Sequence, residues 1–173
     1  MRALCLYAKD QSLSKELVVA LEPADRQVQH RQLLGPFSEA AGFAREIRRD
    51  YSNFGLVVDQ SHIQQLGEEP NEVFRQCAGS ICHIHLANAV VDDPAHPLYG
   101  DQHPPFGVQG SRVDVKALSR FIGTILDSVL WNDTRRASMS LEVKPAPGEV
   151  PYSVISKAKS DFKSAWAMYR AKA

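Results

Sequence analysis

Residues 56–66 read LVVDQSHIQQL. The apolar, β-branched run Leu56-Val57-Val58 has the composition of a buried strand. It stops at Asp59, and His62 follows near the start of the next helix. A strand that delivers a carboxylate with an imidazole close behind it has two readings. Asp59 is the cap of the following helix, or it is one half of a metal or acid/base site. The stretch fits both, so its company in the rest of the chain decides.

Three more apolar runs flank it. Leu17 to Leu21, Ile81 to Leu86 and Ala137 to Leu141 join Phe54 to Val58 as strand candidates. The segments between them carry helical periodicity. Over Ser38 to Tyr51, residues Ala41, Ala44, Ile47 and Tyr51 share one face. Pro70 to Ala78 opens on a proline and acidic residues, a good helix start. Val115, Leu118, Phe121, Ile122, Ile125, Leu126 and Val129 form an i, i+3, i+4 stripe, and Ile155, Ala158, Phe162, Ala165, Trp166 and Tyr169 form another. Strand and helix alternating in this way predict an α/β domain with a parallel sheet and helices packed on its outside. The one long irregular segment, Asn88 to Val113, is rich in Pro, Gly, Asp and His. Loops of that length inside compact domains are functional or disordered, and the residues here favour function.

Bulk properties narrow the class. A chain of 173 residues with 44% apolar and 23% charged content fits one globular domain with a real core. Its 20 basic residues balance 20 acidic ones, so nothing draws it to nucleic acid or anionic membrane. No apolar run approaches the roughly 18 residues that span a bilayer. The N-terminus makes a poor signal peptide. Cys5, Cys77 and Cys82 are odd in number and lack CxxC spacing, which reads as reduced thiols in a cytoplasmic protein. On that reading the sequon Asn132-Asp133-Thr134 carries no glycan. Neither GxGxxG after a strand, nor a P-loop, nor a GxSxG elbow is present.

The chemistry falls at the ends of the apolar runs. The first ends in Glu22 (VVALEPADR), the second in Asp59, the third in His85 (HIHLAN) and the fourth in Glu142 (SLEVKP). All four lie at carboxyl ends of parallel strands, the edge where α/β folds place their sites. Three carboxylates and an imidazole form a ligand set suited to Mn²⁺, Mg²⁺ or Co²⁺, with Zn²⁺ admissible. Carboxylates converging without a cation would repel one another, so the convergence itself argues for a metal. His62 reads as a further ligand, a substrate hydrogen-bond donor or a helix-start residue. His83 and His85 share strand parity; His85 is nearer the strand end and is the ligand candidate, while His83 reads as an interior histidine or a partner behind the site. GDQHPPFG (residues 100–107) offers Asp101 and His103 for a second metal or for substrate, or a plain turn. Arg26 reaches the side of Glu22 only if the strand runs on to it, and Lys144 shares the side of Glu142 on the same condition. Either is a substrate contact or a solvated charge.

Glu22 in LEPADR, Asp59 and His62 in VVDQSH, His85 in HIHLAN, the GDQHPPFG loop and Glu142 in LEVKP resemble, in this order, the xylose-isomerase-like TIM-barrel superfamily. That group holds sugar isomerases, ketose 3-epimerases and the endonuclease IV type of apurinic endonuclease. The resemblance runs from about residue 15 to residue 150. It implies a partial (β/α)₈ barrel, four βα units matching strands 5–8, within a single domain over residues 1–173 that is truncated at its N-terminus. A complete barrel of this type has eight strands in about 250 residues.

By resemblance, Glu22, Asp59, His85 and Glu142 bind one divalent metal, Glu22 and Glu142 act as acid and base, and His62 contacts substrate oxygens. The expected function is a metal-dependent sugar or sugar-phosphate isomerase or epimerase acting on a small sugar-like molecule. Two half-barrels associating as a homo-oligomer would complete the barrel. Two alternatives follow from the same resemblance: a non-catalytic half-barrel remnant, and a zinc phosphodiesterase of the endonuclease type, which the neutral charge disfavours.

Overall fold

The computed structural model describes residues 1–12, 17–128 and 137–172. Val129 and the sequon at Asn132 lie outside the described residues. Ten elements follow one another: α1 (Arg2–Asp10), β1 (Val19–Leu21), α2 (Phe37–Arg48), β2 (Phe54–Asp59), α3 (Gln60–Leu66), α4 (Pro70–Cys77), β3 (Ile81–Leu86), α5 (Val115–Asp127), β4 (Ser138–Leu141) and α6 (Pro151–Arg170). The strands form one four-stranded parallel sheet in the order β1-β2-β3-β4. Each new strand adds on the same side of the last. A doubly wound sheet reverses direction at a switch point; this one does not, and its progression is that of a barrel segment.

Local chemistry accounts for the elements. Strand β2 is buried along its whole length, as a strand covered on both faces should be. Asp59 closes it and caps α3, its side chain accepting from the backbone N–H groups of Ser61 and His62. Gly67 (φ 66°) ends α3 in the left-handed conformation that glycine adopts without steric cost. Pro70 then opens α4 at a position where its missing N–H is harmless. Asp114 caps α5 by accepting from the N–H of Ala117. Strand β3 carries a bulge: Leu56 pairs with Ile81 and Val57 with His83, which leaves Cys82 as the extra residue.

The core lies between the outer face of the sheet and the helices. Phe37, Phe54 and Phe74 are fully buried there with Leu56, Ile84, Leu86, Leu118 and Ile122. Burial of each such side chain contributes about 2 kcal/mol.

The element limits depart from the sequence expectations in places. The first strand starts at Val19 rather than Leu17, and Leu17 and Val18 are half exposed. Helix α2 ends at Arg48, short of Tyr51, which packs on the core from the turn beyond it. In α6 the buried positions are Val154, Ala158 and Ala165, so Val154 rather than Ile155 leads the stripe and Ile155 stays exposed. Helix α1 has no counterpart in the sequence reading; its Cys5 is fully buried and accepts a hydrogen bond at its carbonyl from Asn53 (2.8 Å). No helix among the described residues is long and apolar enough to cross a membrane.

Candidate functional site

At the carboxyl edge of the sheet, Glu22, Asp59, His85 and Glu142 come together, each offering one ligand atom within 4.8 Å of the others. The register places them. Asp59 pairs with His85 across β2 and β3, Ser140 pairs with His85 across β3 and β4, and Glu142 follows two residues on. The Glu142 N–H donates to the carbonyl of Leu86 (3.0 Å), which fixes its height beside His85.

The centre of the group is Nδ1 of His85. It lies 3.0 Å from Glu22 Oε1, 3.3 Å from Asp59 Oδ2 and 2.6 Å from Glu142 Oε2. One N–H satisfies one acceptor well, so three carboxylates cannot all be served by it. Asp59 Oδ2 and Glu142 Oε2 are buried and have no hydrogen-bond partner beyond that shared ion-pair contact with His85, a costly arrangement for anionic oxygens. The same three carboxylates hold the protonated His85 up to about 12. Three carboxylate oxygens and one imidazole nitrogen gathered within 4.8 Å of one another fit a hard divalent cation.

Asp59 serves two purposes at once. Its Oδ1 accepts from the backbone and hydroxyl of Ser61, and its Oδ2 faces His85. Burial opposes its ionisation, but His85 and the neighbouring His62, Ser61 and His103 outweigh that and hold its pKa below the ordinary value.

A second constellation adjoins the first, built around the buried carboxylate of Asp101. Its Oδ1 receives His62 Nε2 (3.0 Å), His103 Nε2 (3.1 Å) and Gln65 Nε2 (3.0 Å), and its Oδ2 receives His30 Nε2 (2.6 Å). The remaining nitrogen of His62, Nδ1, lies 2.9 Å from the carbonyl of Pro23. A carbonyl and a carboxylate both only accept, so both nitrogens carry hydrogen and His62 is an imidazolium donating to each. Burial alone would depress the pKa of His62; the bond to Asp101, with Asp59 and Glu22 nearby, raises it to about 9. His103 is raised by the same partner against its own burial. Asp101 is in turn held well below the carboxylate range, the histidines overcoming its desolvation. Two residue sets here, His30 with His62 and Asp101, and Asp59 with His62 and His103, have ligand atoms close enough to share a cation.

The loop residues are held firmly. His103 adopts a left-handed φ of 44°, costly for a residue with a Cβ, and the Lys144 N–H donates to its carbonyl (2.8 Å). Asn88 accepts from the N–H groups of Ala89 and Val113 and donates to Pro105 and Ser111, anchoring both ends of the long loop. Lys144 Nζ reaches the Asp101 carbonyl at 3.5 Å, at the rim of the group.

Arg26 is not brought to the site. Strand β1 stops at Leu21, so the parity that would carry Arg26 to the side of Glu22 is lost; its guanidinium instead bonds Glu39 and the Leu33 carbonyl. Two residues absent from the sequence reading are present. Gln65 stands three residues after His62 on α3, a helical spacing that places both on Asp101. His30 arrives on an irregular loop, residues 22–36, with no periodicity to flag it. That loop is shaped by Asp25, whose carboxylate accepts from the backbone N–H groups of Val28, Gln29 and His30.

Solved structures share this architecture. An L-ribulose 3-epimerase superposes with a TM-score of 0.62 at 17% identity, over 98% of this chain and 54% of its own. A D-psicose 3-epimerase solved in the presence of D-fructose gives 0.58 at 15%, over 98% and 52%. A fusion protein described as xylose isomerase-like TIM barrel/4-hydroxyphenylpyruvate dioxygenase gives 0.62 at 16%, over 99% of this chain and 25% of its own. The fold is half of a TIM barrel. The half-barrel spans about half the length of the two epimerases. Neither a protein-family model nor a curated protein sequence matches it. In the half-barrel, Glu22 and Glu142 are the accessible members of the quartet, with side chains 35% and 40% exposed, whereas Asp59 is fully buried.

Proposed function

We propose that the half-barrel carries the metal and proton-transfer centre of a sugar or sugar-phosphate isomerase or epimerase. The observation that supports this most is the convergence of three carboxylates on Nδ1 of His85, two of whose oxygens have no partner besides that ring. Asp59, His85, Glu22 and Glu142 would hold a divalent cation such as Mn²⁺, Mg²⁺ or Co²⁺. A cation held there polarises adjacent carbonyl and hydroxyl oxygens of a sugar, acidifying the C–H between them.

The protein's own groups do the rest. Glu22 and Glu142 approach the centre from the two outer strands and are the exposed members. That placement suits a pair that removes a proton on one face of a substrate and returns it on the other. His62, bonded through both ring nitrogens to the Pro23 carbonyl and Asp101, would set positive charge beside the substrate oxygens, with His103 next to it. Lys144, at the rim, would meet an anionic or hydroxylated end of the substrate. The neighbours' names, an L-ribulose 3-epimerase and a D-psicose 3-epimerase, support a ketose as the substrate class over a phosphodiester. Closure of the barrel by a second half, in the simplest case a second copy of this chain, would supply the facing wall of the pocket.

Calorimetric titration with Mn²⁺ and Co²⁺ tests the reading. The wild type should bind stoichiometrically, and a Glu22→Ala/Asp59→Ala double variant should not. Equal binding by the two proteins would overturn the assignment.

A further inference from the structure

The proposed chemistry gives His83 no role, yet both of its ring nitrogens are bound. Its Nδ1 lies 2.6 Å from the hydroxyl of Ser138 and its Nε2 2.9 Å from that of Ser140. Both serines belong to β4, which pairs with β3 alone among the described strands. Hydroxyls donate or accept equally well, so the neutral ring is satisfied in either tautomer and has no nitrogen left for a cation. Its ring also stands edge to face with that of His85, at 4.8 Å between centroids and 82° between planes.

These contacts touch two members of the quartet. The His83 ring spans Ser138 and Ser140, and Glu142 projects from the next position of the same parity. An edge strand held by one short ladder is the least constrained part of the sheet, and here it must place Glu142 Oε2 within 2.6 Å of His85 Nδ1. The His85 ring must also present Nδ1 rather than its carbon edge. The edge-to-face contact with His83 holds the plane of that ring, and the three carboxylates select which of its edges faces them. Resting on the reading that the quartet holds a cation, we propose that His83 is a positioning residue of that centre: clamped by Ser138 and Ser140, it fixes β4 and sets the plane of the His85 ring.

The test compares wild type, His83→Ala and Ser138→Ala/Ser140→Ala. Co²⁺ binding is followed by calorimetry and by the visible absorption of the bound ion, with circular dichroism reporting the fold. Loss of groups that orient a ligand weakens metal binding by about 10- to 100-fold. We expect both variants to lose affinity in that range and to shift the Co²⁺ absorption bands while the fold persists. If His83→Ala fails to fold, the double serine variant, which leaves both rings in place, decides alone. Variants that bind Co²⁺ as tightly as the wild type with an unchanged spectrum overturn the positioning role and leave the cation site intact. A wild type that binds Co²⁺ no better than the Glu22→Ala/Asp59→Ala variant overturns the cation site itself.

Discussion

Asp59 divides its carboxylate between two tasks, Oδ1 capping helix α3 and Oδ2 facing His85 Nδ1 at 3.3 Å. A cap needs only an acceptor, while a cation ligand beside an imidazolium needs the charge. Substitution therefore separates the two. Asp59→Asn retains an oxygen for the Ser61 N–H and loses the charge; Asp59→Ala loses both, including a cap contribution of about 1 kcal/mol. In urea denaturation with EDTA present, the Asn variant should unfold at the higher midpoint. In Mn²⁺ titration both should bind far more weakly than the wild type.

The loop that brings His30 to Asp101 depends on Asp25. Burial pushes the Asp25 pKa up from 3.8, but the backbone donors of His30, Gln29 and Val28 prevail and hold it down. A depressed carboxyl stabilises the fold above its unfolded pKa, and that contribution fades as pH falls through the folded value, so the window lies below about pH 4. Asp25→Ala leaves those amides without their acceptor, a loss of about 1–3 kcal/mol at neutral pH. Urea unfolding at pH 7 should show that loss, and the gap between variant and wild type should narrow in acid. An equal gap at both pH values would remove Asp25 from the role.

The quartet was legible in the sequence because each member closes an apolar run, and parallel strands bring such ends to one edge. Asp101 and His103 were legible as a pair inside a long loop rich in glycine and proline. His30 was not: its position follows from the Asp25 turn, a set of backbone contacts that no side-chain periodicity announces. Arg26 misled because its parity held only while the strand continued, and β1 is short. Ile155 misled because in α6 an exposed apolar residue adjoins the buried Val154, so the stripe can be phased either way by eye.

Cation binding should stabilise the protein by mass action. At a free concentration about 100 times the dissociation constant the gain is about 2.7 kcal/mol. For a domain of this size that corresponds to a rise of about 5–10 °C in the unfolding midpoint. Differential scanning calorimetry with and without Mn²⁺ should show it, and EDTA should reverse it. Glu22→Ala/Glu142→Ala should show no rise, having lost the two ligands supplied by the outer strands.

Among the described strands β1 and β4 are the two edges of the sheet, and they make the last prediction. Beside β1, Leu4, Leu6 and Tyr7 of α1 are exposed together with Leu17 and Val18. Beside β4, an apolar cavity of about 560 Å³ lies between the strand and α6, lined in part by Met139, Leu141, Ile155 and Phe162. In a closed barrel, neighbouring strands and helices cover these positions; left bare, they favour association. Sedimentation equilibrium should therefore give a mass above the 19.2 kDa of one chain, with the monomer gaining ground on dilution. Leu17→Glu/Val18→Lys, which places charge at the β1 edge, should raise the dissociation constant at least about 10-fold, the equivalent of 1.4 kcal/mol. The Mn²⁺ affinity of the quartet should persist in that variant, because Leu17 and Val18 precede β1 whereas Glu22 follows its carboxyl end. A wild type that stays monomeric at high concentration would rule out closure by a second copy, and the facing wall of the pocket would then have to come from a different polypeptide segment.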